Sequence, residues 1–390
     1  MGYRYTVLGA GRQGIAAAYD LGLRGHADMI VLADAARDAA REGAERLNTL
    51  LGKSIATPLT LDAADAAAVR DALVPSHGLL SAVPFAYNEQ LTRLAVESGT
   101  HMVDLGGHTG VVRRQLAWDR AARESGITVV PDCGMGPGMN VSLALAAMNL
   151  LDEAHEVRIC DGGLPQAPRP PWNYSLLFHI QGLLNEYEGN AYYLRDGQVT
   201  EVPALTELEH VEVPPLGTLE AFVTSGGLST MPWTFAGKLT TLENKTLRYP
   251  GHCALFNALR DAGLFSTKPI SIQGTEVSPR ALLEELLVEQ LTDPDVRDVC
   301  VIDVRVRGTV DGQPAESFAH LVDRYDKATK FLAMEKLTGW HAAMVLARSV
   351  QQAIPPGAVP VETALSGETF LRLAPERGWQ VDKGVAATNA

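Results

Sequence analysis

No window of this 390-residue sequence approaches eighteen consecutive apolar residues, so no membrane-spanning helix is expected. Cysteine is scarce. Cys133, Cys160, Cys253 and Cys300 stand far apart with no C-x-x-C pair, which argues against a disulfide framework or a zinc cage, and no metal site is expected. Reduced thiols of this kind fit a cytoplasmic protein. Positive charge is in deficit: 33 Lys and Arg against 46 Asp and Glu leave a net charge of −13, which speaks against nucleic acid or an anionic membrane as partner. The opening run MGYRYTVLGAG lacks the basic and apolar regions of a signal peptide, and no lipid anchor is expected. What is present is a hydrophobic fraction of 46%, enough for a sizeable core. The length exceeds one ordinary core and suits two domains with a tail.

The first third alternates short β-rich runs with helical patterns. Tyr3 to Leu8 leads into a glycine turn and a helix at Ile15 to Leu23; Met29 to Ala33 leads to Asp34 and a helix through Leu51. Leu59 to Leu61, Gly78 to Val83, His101 to Leu105 and Ile127 to Val130 are further strands, separated by amphipathic segments such as Tyr87 to Glu97 and Val111 to Glu124. This alternation predicts an α/β fold with a doubly wound parallel sheet over residues 1–137. From about Asn140 strands lengthen and helices thin out. Cys300, Ile302, Val304 and Val306 alternate with polar residues, and Val310 to Gln313 turns the chain into Ala315 to Tyr325, a hairpin. Ser278-Pro279 starts a helix at Arg280 to Leu291. A second, α+β domain with a largely antiparallel sheet is expected over 138–333. A helix from Met334, stopped by Pro355-Pro356, begins a 334–390 segment that returns toward the first domain. A homodimer is expected from the long helix and the apolar sheet edges.

Gly9-Ala10-Gly11-Arg12-Gln13-Gly14 is a G-x-G-x-x-G between a strand and a helix, with Asp34 twenty residues after Gly14 at the end of the next strand. The glycines permit the turn, the approach of a pyrophosphate and close helix packing; the helix N-terminus offers free N–H groups, and Asp34 the acceptor for ribose hydroxyls. Asp34 beside the cation-free Ala35-Ala36 would repel a 2′-phosphate, so NAD is favoured over NADP. Asp62, at the next strand end, faces the adenine or caps the following helix. Ligands in such sheets bind at the carboxyl ends of the strands. Ser81-Ala82-Val83-Pro84, Asp104 to His108 and Asp132-Cys133-Gly134 are therefore expected nearest the nicotinamide.

Val103 to His108, Pro131 to Met139, Asp161-Gly162-Gly163-Leu164-Pro165, Leu219 to Gly227 and Lys245 to His252 together resemble the saccharopine dehydrogenase-like superfamily, and within it the L-lysine 6-dehydrogenase branch. Cys133, Met135-Gly136, His179 and Asn185-Glu186 depart from that branch. The resemblance implies a Rossmann domain, a substrate domain and NAD-dependent oxidation of the lysine side-chain amine to a semialdehyde that cyclises. Such chemistry needs a free amine and a group that cycles a proton. Asp104 and His108 acting together are the candidates, with loop-holding and structural hydrogen bonding as their rival readings. Asp132 is a candidate for the substrate or a helix cap. Arg248 suits the α-carboxylate through its planar fork, and alternation puts Lys245 on the opposite face of the same strand. Thr224 and Ser225 offer hydroxyls, and Tyr174 either closes the pocket or packs. Saccharopine, with three carboxylates, is the rival substrate and calls for more cations, Arg169, Arg195 and Lys238 being available. A non-catalytic NAD-binding sensor is the remaining alternative.

Overall fold

The computed structural model describes residues 2–387. Strands β1 (Tyr3–Leu8), β2 (Ala27–Asp34), β3 (Ala56–Thr60), β4 (Gly78–Ser81), β5 (His101–Asp104) and β6 (Thr128–Val130) lie in one parallel sheet in the order β6-β5-β4-β1-β2-β3. The order reverses between β1 and β4. This is a doubly wound arrangement whose crevice opens at the strands' carboxyl ends. Between the strands run the helices Arg12–Arg24, Arg37–Leu51, Ala66–Leu73 and Asn88–Ser98, each with its apolar face on the sheet.

The second sheet is built from β7 (Glu153–Pro165), the hairpin β8 (Asn190–Arg195) and β9 (Gln198–Pro203), β10 (Glu209–Val213), β11 (Gly217–Val223) and β12 (Thr241–Arg248). A small separate hairpin, β13 (Ile270–Ile272) and β14 (Thr275–Val277), precedes the helix Pro279–Leu291, which Ser278 Oγ caps at Ala281 N. The sheet then continues with β15 (Asp298–Val310) and β16 (Gln313–Arg324). Its order is β10-β11-β12-β7-β15-β16, antiparallel except that β7 and β12 run parallel.

The last segment touches both sheets. The helix Ala333–Val350 is buried at every residue except Arg348, and its two ends meet different partners. It packs along the helix Arg12–Arg24, where a Cβ at Gly339 would lie 2.7 Å from Ala17 N and 2.8 Å from Gln13 O. That approach is open only to glycine. Beyond it, β17 (Gly357–Ala358) adds to the first sheet beside β6, and β18 (Asp382–Ala387) adds to the second beside β16. β17 has only two residues and β18, DKGVAA, lacks an apolar run, so neither stands out in the sequence. Arg377 closes the return by pairing with the buried Asp20 of the first helix at 2.6 Å. No helix among the described residues is long and apolar enough to cross a membrane.

Candidate active site

A cavity of about 680 Å³ lies where the carboxyl ends of β1, β4, β5 and β6 face the second sheet. Gly11 to Gly14, Ala82 to Phe85, Leu105 to Gly107 and Gly134 to Pro137 form its first wall. Asp161 to Gly163, Thr246 and Arg248 form the second, with Asn185, Glu186, Ser225 and Gly226 at its side and Met334 and Thr338 beneath.

The glycine turn is held from behind. A Cβ at Gly14 would overlap Gly9 O, so helix and turn are in direct backbone contact there. Asp34 Oδ2 accepts from Ala10 N at 2.8 Å and its Oδ1 from Ala36 N at 2.9 Å, which ties the tip of β2 to the turn and leaves further lone pairs on each oxygen. Gly11, the N-cap, has nothing within 4 Å of a Cβ position, and no side chain caps the helix. The first-turn N–H groups thus face open space. Gln13 Nε2 and Oε1 are both buried without partners on the same wall. These donors and acceptors fit the pyrophosphate and amide groups of a dinucleotide.

Several expected contacts are placed elsewhere. Ser81 is buried and donates to Asn88 Oδ1 at 2.7 Å, so it anchors the next helix and does not line the cavity. Asp62 accepts from Ala64 N in the turn before Asp65, the residue that caps the following helix. Asp104 is fully buried behind the wall. Its Oδ1 accepts from Gly106 N at 2.9 Å and Asp132 N at 3.0 Å, and its Oδ2 from Gln115 Nε2 at 2.7 Å. His108 is exposed, caps the helix Thr109–Leu116 through Nδ1 and stacks on Phe85. No hydrogen bond or ion pair among the described residues links it to Asp104. Asp104 and His108 thus stand apart, in the loop-holding and structural hydrogen-bonding arrangements that were their rival readings. Asp132, at φ 59°, is buried outside the cavity, and its Oδ1 has no hydrogen-bond partner. Burial, with Asp104 and Glu362 nearby, pushes its pKa up to about 8. Thr224 spends its hydroxyl on Thr246 Oγ1 at 2.6 Å, and Tyr174 packs its ring 5.0 Å from the Arg248 guanidinium instead of closing the pocket. Ser225 does reach the cavity, with its hydroxyl on Asn185 O.

Arg248 lines the cavity at 3% exposure. Its Nε donates to Tyr187 Oη at 3.1 Å, its Nη1 to Leu247 O at 2.9 Å, and its Nη2 stands 3.5 Å from Glu186 Oε2. Tyr187 Oη is braced in turn by His252 Nε2 at 2.8 Å. Lys245 points to the other face of β12, bound to Glu207 O and Glu209, as its odd spacing from Arg248 requires. Arg195 lies in an ion-pair network with Glu243 and Glu207, Arg169 pairs with Asp293, and Lys238 sits over Phe235; none lines the cavity.

Two carboxylates away from the strand ends of the first sheet share this wall. Glu186 is pushed up to about 7 by burial, against the pull of Arg248. Asp161 is pushed up to about 6 by burial, opposed by Asn244 and Arg248. Asp161-Gly162-Gly163 and Asn185-Glu186 were both visible as motif and departure, but nothing local in either shows that the chain folds them toward Arg248.

Two family models cover the chain: saccharopine dehydrogenase NADP binding domain over residues 5–130 and saccharopine dehydrogenase C-terminal domain over 134–376. The chain is 27% identical over 239 residues to a saccharopine dehydrogenase (NADP(+), L-glutamate-forming) of Pyricularia oryzae, covering 58% of this chain and 51% of that protein. It is 26% identical over 211 residues to a carboxynorspermidine synthase of Vibrio cholerae, covering 53% and 50%. These matches span about half the length of the curated relatives. Among solved structures, apo saccharopine dehydrogenase (L-Glu forming) from Saccharomyces cerevisiae superposes with a TM-score of 0.78 at 18% identity, over 99% of this chain and 100% of that one. A homospermidine synthase from Legionella pneumophila in complex with NAD superposes with a TM-score of 0.63 at 13% identity, over 100% and 92%. At these identities the superpositions speak for the fold.

Proposed function

The chain belongs to the saccharopine dehydrogenase family, and on that footing we propose that it is an NAD-dependent amine oxidoreductase acting on the side-chain amine of L-lysine or a close amino acid. The product is the semialdehyde, which cyclises to the piperideine carboxylate. One observation carries this reading: a single buried cation, Arg248, shares the cavity with two carboxylates, Asp161 and Glu186, opposite the glycine turn. That charge pattern suits a substrate with one carboxylate and two amines.

Gly11 to Gly14 and Gln13 would hold the phosphates of the dinucleotide, and Asp34 its adenosine ribose. When bound, the nicotinamide supplies a hydride acceptor at the cavity. Arg248, fixed by Tyr187, is oriented to take the α-carboxylate through its fork, and Glu186 beside it balances an α-ammonium. Leu105, Met135, Phe178 and Met334 narrow the same cavity with apolar side chains, which favours the neutral form of the reacting amine. Asp34 supports NAD over NADP: a 2′-phosphate next to its carboxylate is disfavoured, and Ala35 and Ala36 supply no compensating cation.

The named relatives favour a second reading, a saccharopine-type oxidoreductase acting on a secondary amine. Saccharopine brings three carboxylates, however, and besides Arg248 the arginine on the cavity is the exposed Arg12 of the glycine turn. The test is a panel of lysine, ornithine, cadaverine and saccharopine with NAD or NADP, followed by absorbance of the reduced nicotinamide. Lysine with NAD should give the highest kcat/KM. Turnover confined to saccharopine, or a preference for NADP, would overturn the corresponding half of the proposal.

A further inference from the structure

Amine oxidation, the reading on which this inference rests, needs a group that removes a proton from the substrate ammonium before its C–H bond breaks. Arg12, Asp161, His179, Glu186 and Arg248 are the charged or titratable side chains on the cavity wall. The arginines stay protonated. His179 is exposed, and its Nδ1 accepts from Gln181 N at the start of its own helix. Glu186 is committed to Arg248. Asp161 differs from all of them: it is 4% exposed, and its Oδ2 is buried with no hydrogen-bond partner. A carboxylate oxygen left unpaired in a protein wall costs free energy unless a ligand supplies the missing donor.

No donor stands at full hydrogen-bond geometry to that oxygen. Asp161 sits in the middle of the sheet, between Thr246 of β12 and Ile302 of β15. Asn244 Nδ2 donates to Oδ1 at 3.0 Å and fixes the carboxylate. Asn140, the other nearby amide, donates from Nδ2 to Gly227 O at 2.9 Å and accepts at Oδ1 from the N–H groups of Gly138 and Val141, and its amide also steadies the Asp161 carboxylate. Across from Oδ2 stands Gly136, where a Cβ would overlap the oxygen. The charged and titratable groups that act on Asp161 are Arg248 from β12 and Glu186 from the helix Ile180–Glu186, with the adjacent Cys160 thiol on the opposite face of β7. Burial outweighs Asn244, Arg248 and Asn140 and brings its pKa to about 6, so the carboxylate is ionised at neutral pH yet basic enough to hold a proton.

The geometry points to Asp161 as the general base that accepts a proton from the reacting ammonium of the substrate. One N–H bond breaks, its electron pair stays on nitrogen as the lone pair that stabilises the developing C=N bond, and the proton forms an O–H bond with Oδ2. Desolvation of the ammonium in the cavity narrows the gap between the two pKa values.

The test compares full-length wild type and Asp161→Asn, both with NAD and lysine, from pH 5 to 10. Wild-type kcat/KM should rise with pH and level off above about 6–7. The variant should lose about 10²- to 10⁴-fold at pH 7. Its rate should go on climbing with pH as solution supplies free amine, with NAD affinity unchanged by calorimetry. Asp161→Ala should regain rate on addition of formate, a free carboxylate that fits the vacated space. Turnover of Asp161→Asn within threefold of wild type, or a wild-type pH profile scaled down without formate rescue in Asp161→Ala, would overturn the assignment. Failure of wild type to oxidise any amine would instead sink the broader reading, and the amine panel detects that separately.

Discussion

At the tip of β5, Asp104 gives both oxygens to protein donors: Gly106 N and Asp132 N on one, Gln115 on the other. In the middle of β7, Asp161 gives one oxygen to Asn244 and leaves the other buried without a partner behind Gly136 of the cavity wall. Both are buried carboxylates raised by desolvation, and both belong to strands that border the same cavity. The difference lies in what reaches them. An acid at the end of a parallel strand meets a loop full of unpaired backbone N–H groups and is consumed by them. An acid inside a sheet faces a backbone that is already paired, so its oxygens stay open to a side chain or a ligand. In the proposed site the first sheet thus supplies the cradle, and the second supplies the chemistry.

Arg248→Met gives the largest effect on that division. Removing one partner of a buried charge pair costs about 2–5 kcal/mol, so the lysine KM should rise roughly a hundredfold, while cadaverine, which lacks the carboxylate, should change much less. An equal loss for both amines would show that Arg248 supports the fold and not the carboxylate. Next, Asp104→Asn should cost about 1–3 kcal/mol of stability through its mispaired contact with Gln115, read as a lower Tm. Its kcat should stay within about threefold of wild type, as should that of His108→Ala. A collapse of kcat in Asp104→Asn at unchanged Tm would erase the contrast with Asp161. The smallest effect belongs to the cofactor side. Asp34→Asn removes the charge but keeps an acceptor, and should shift the ratio of kcat/KM for NAD over NADP toward NADP by about tenfold, read by parallel assays.

The first sheet was legible because each parallel strand ends in a turn with recognisable chemistry. Gly9 to Gly14 and Asp34 needed only their spacing to be placed, and the contact of Ala10 N with Asp34 shows why that spacing recurs. The opposite faces of Lys245 and Arg248 were legible for a similar reason, since strand alternation is local. Asp104, Ser81 and Thr224 mark where local pattern stops being informative. Their position at strand ends is correct, but whether a polar side chain is free depends on donors many residues away, such as Gln115, Asn88 and Thr246. Asp161 and Glu186 were missed for the converse reason. Asp161 looks like one polar residue in a strand, and Glu186 like the end of a short helix. Only the packing of β7, β12 and the helix Ile180–Glu186 brings them to one cation. The two-residue strand Gly357–Ala358 is fixed by its neighbour β6 and has no pattern of its own.

The central claim is that one cavity joins the glycine turn, Arg248 and Asp161 into a single amine-oxidising site. A crystal of the protein soaked with NAD and L-lysine tests it most directly. The account predicts phosphates over Gly11 to Gly14, the lysine carboxylate on the Arg248 guanidinium, and the side-chain nitrogen within hydrogen-bond distance of Asp161 Oδ2. Lysine bound in the reverse sense with its carboxylate away from Arg248, or a dinucleotide seated anywhere but the glycine turn, would contradict it.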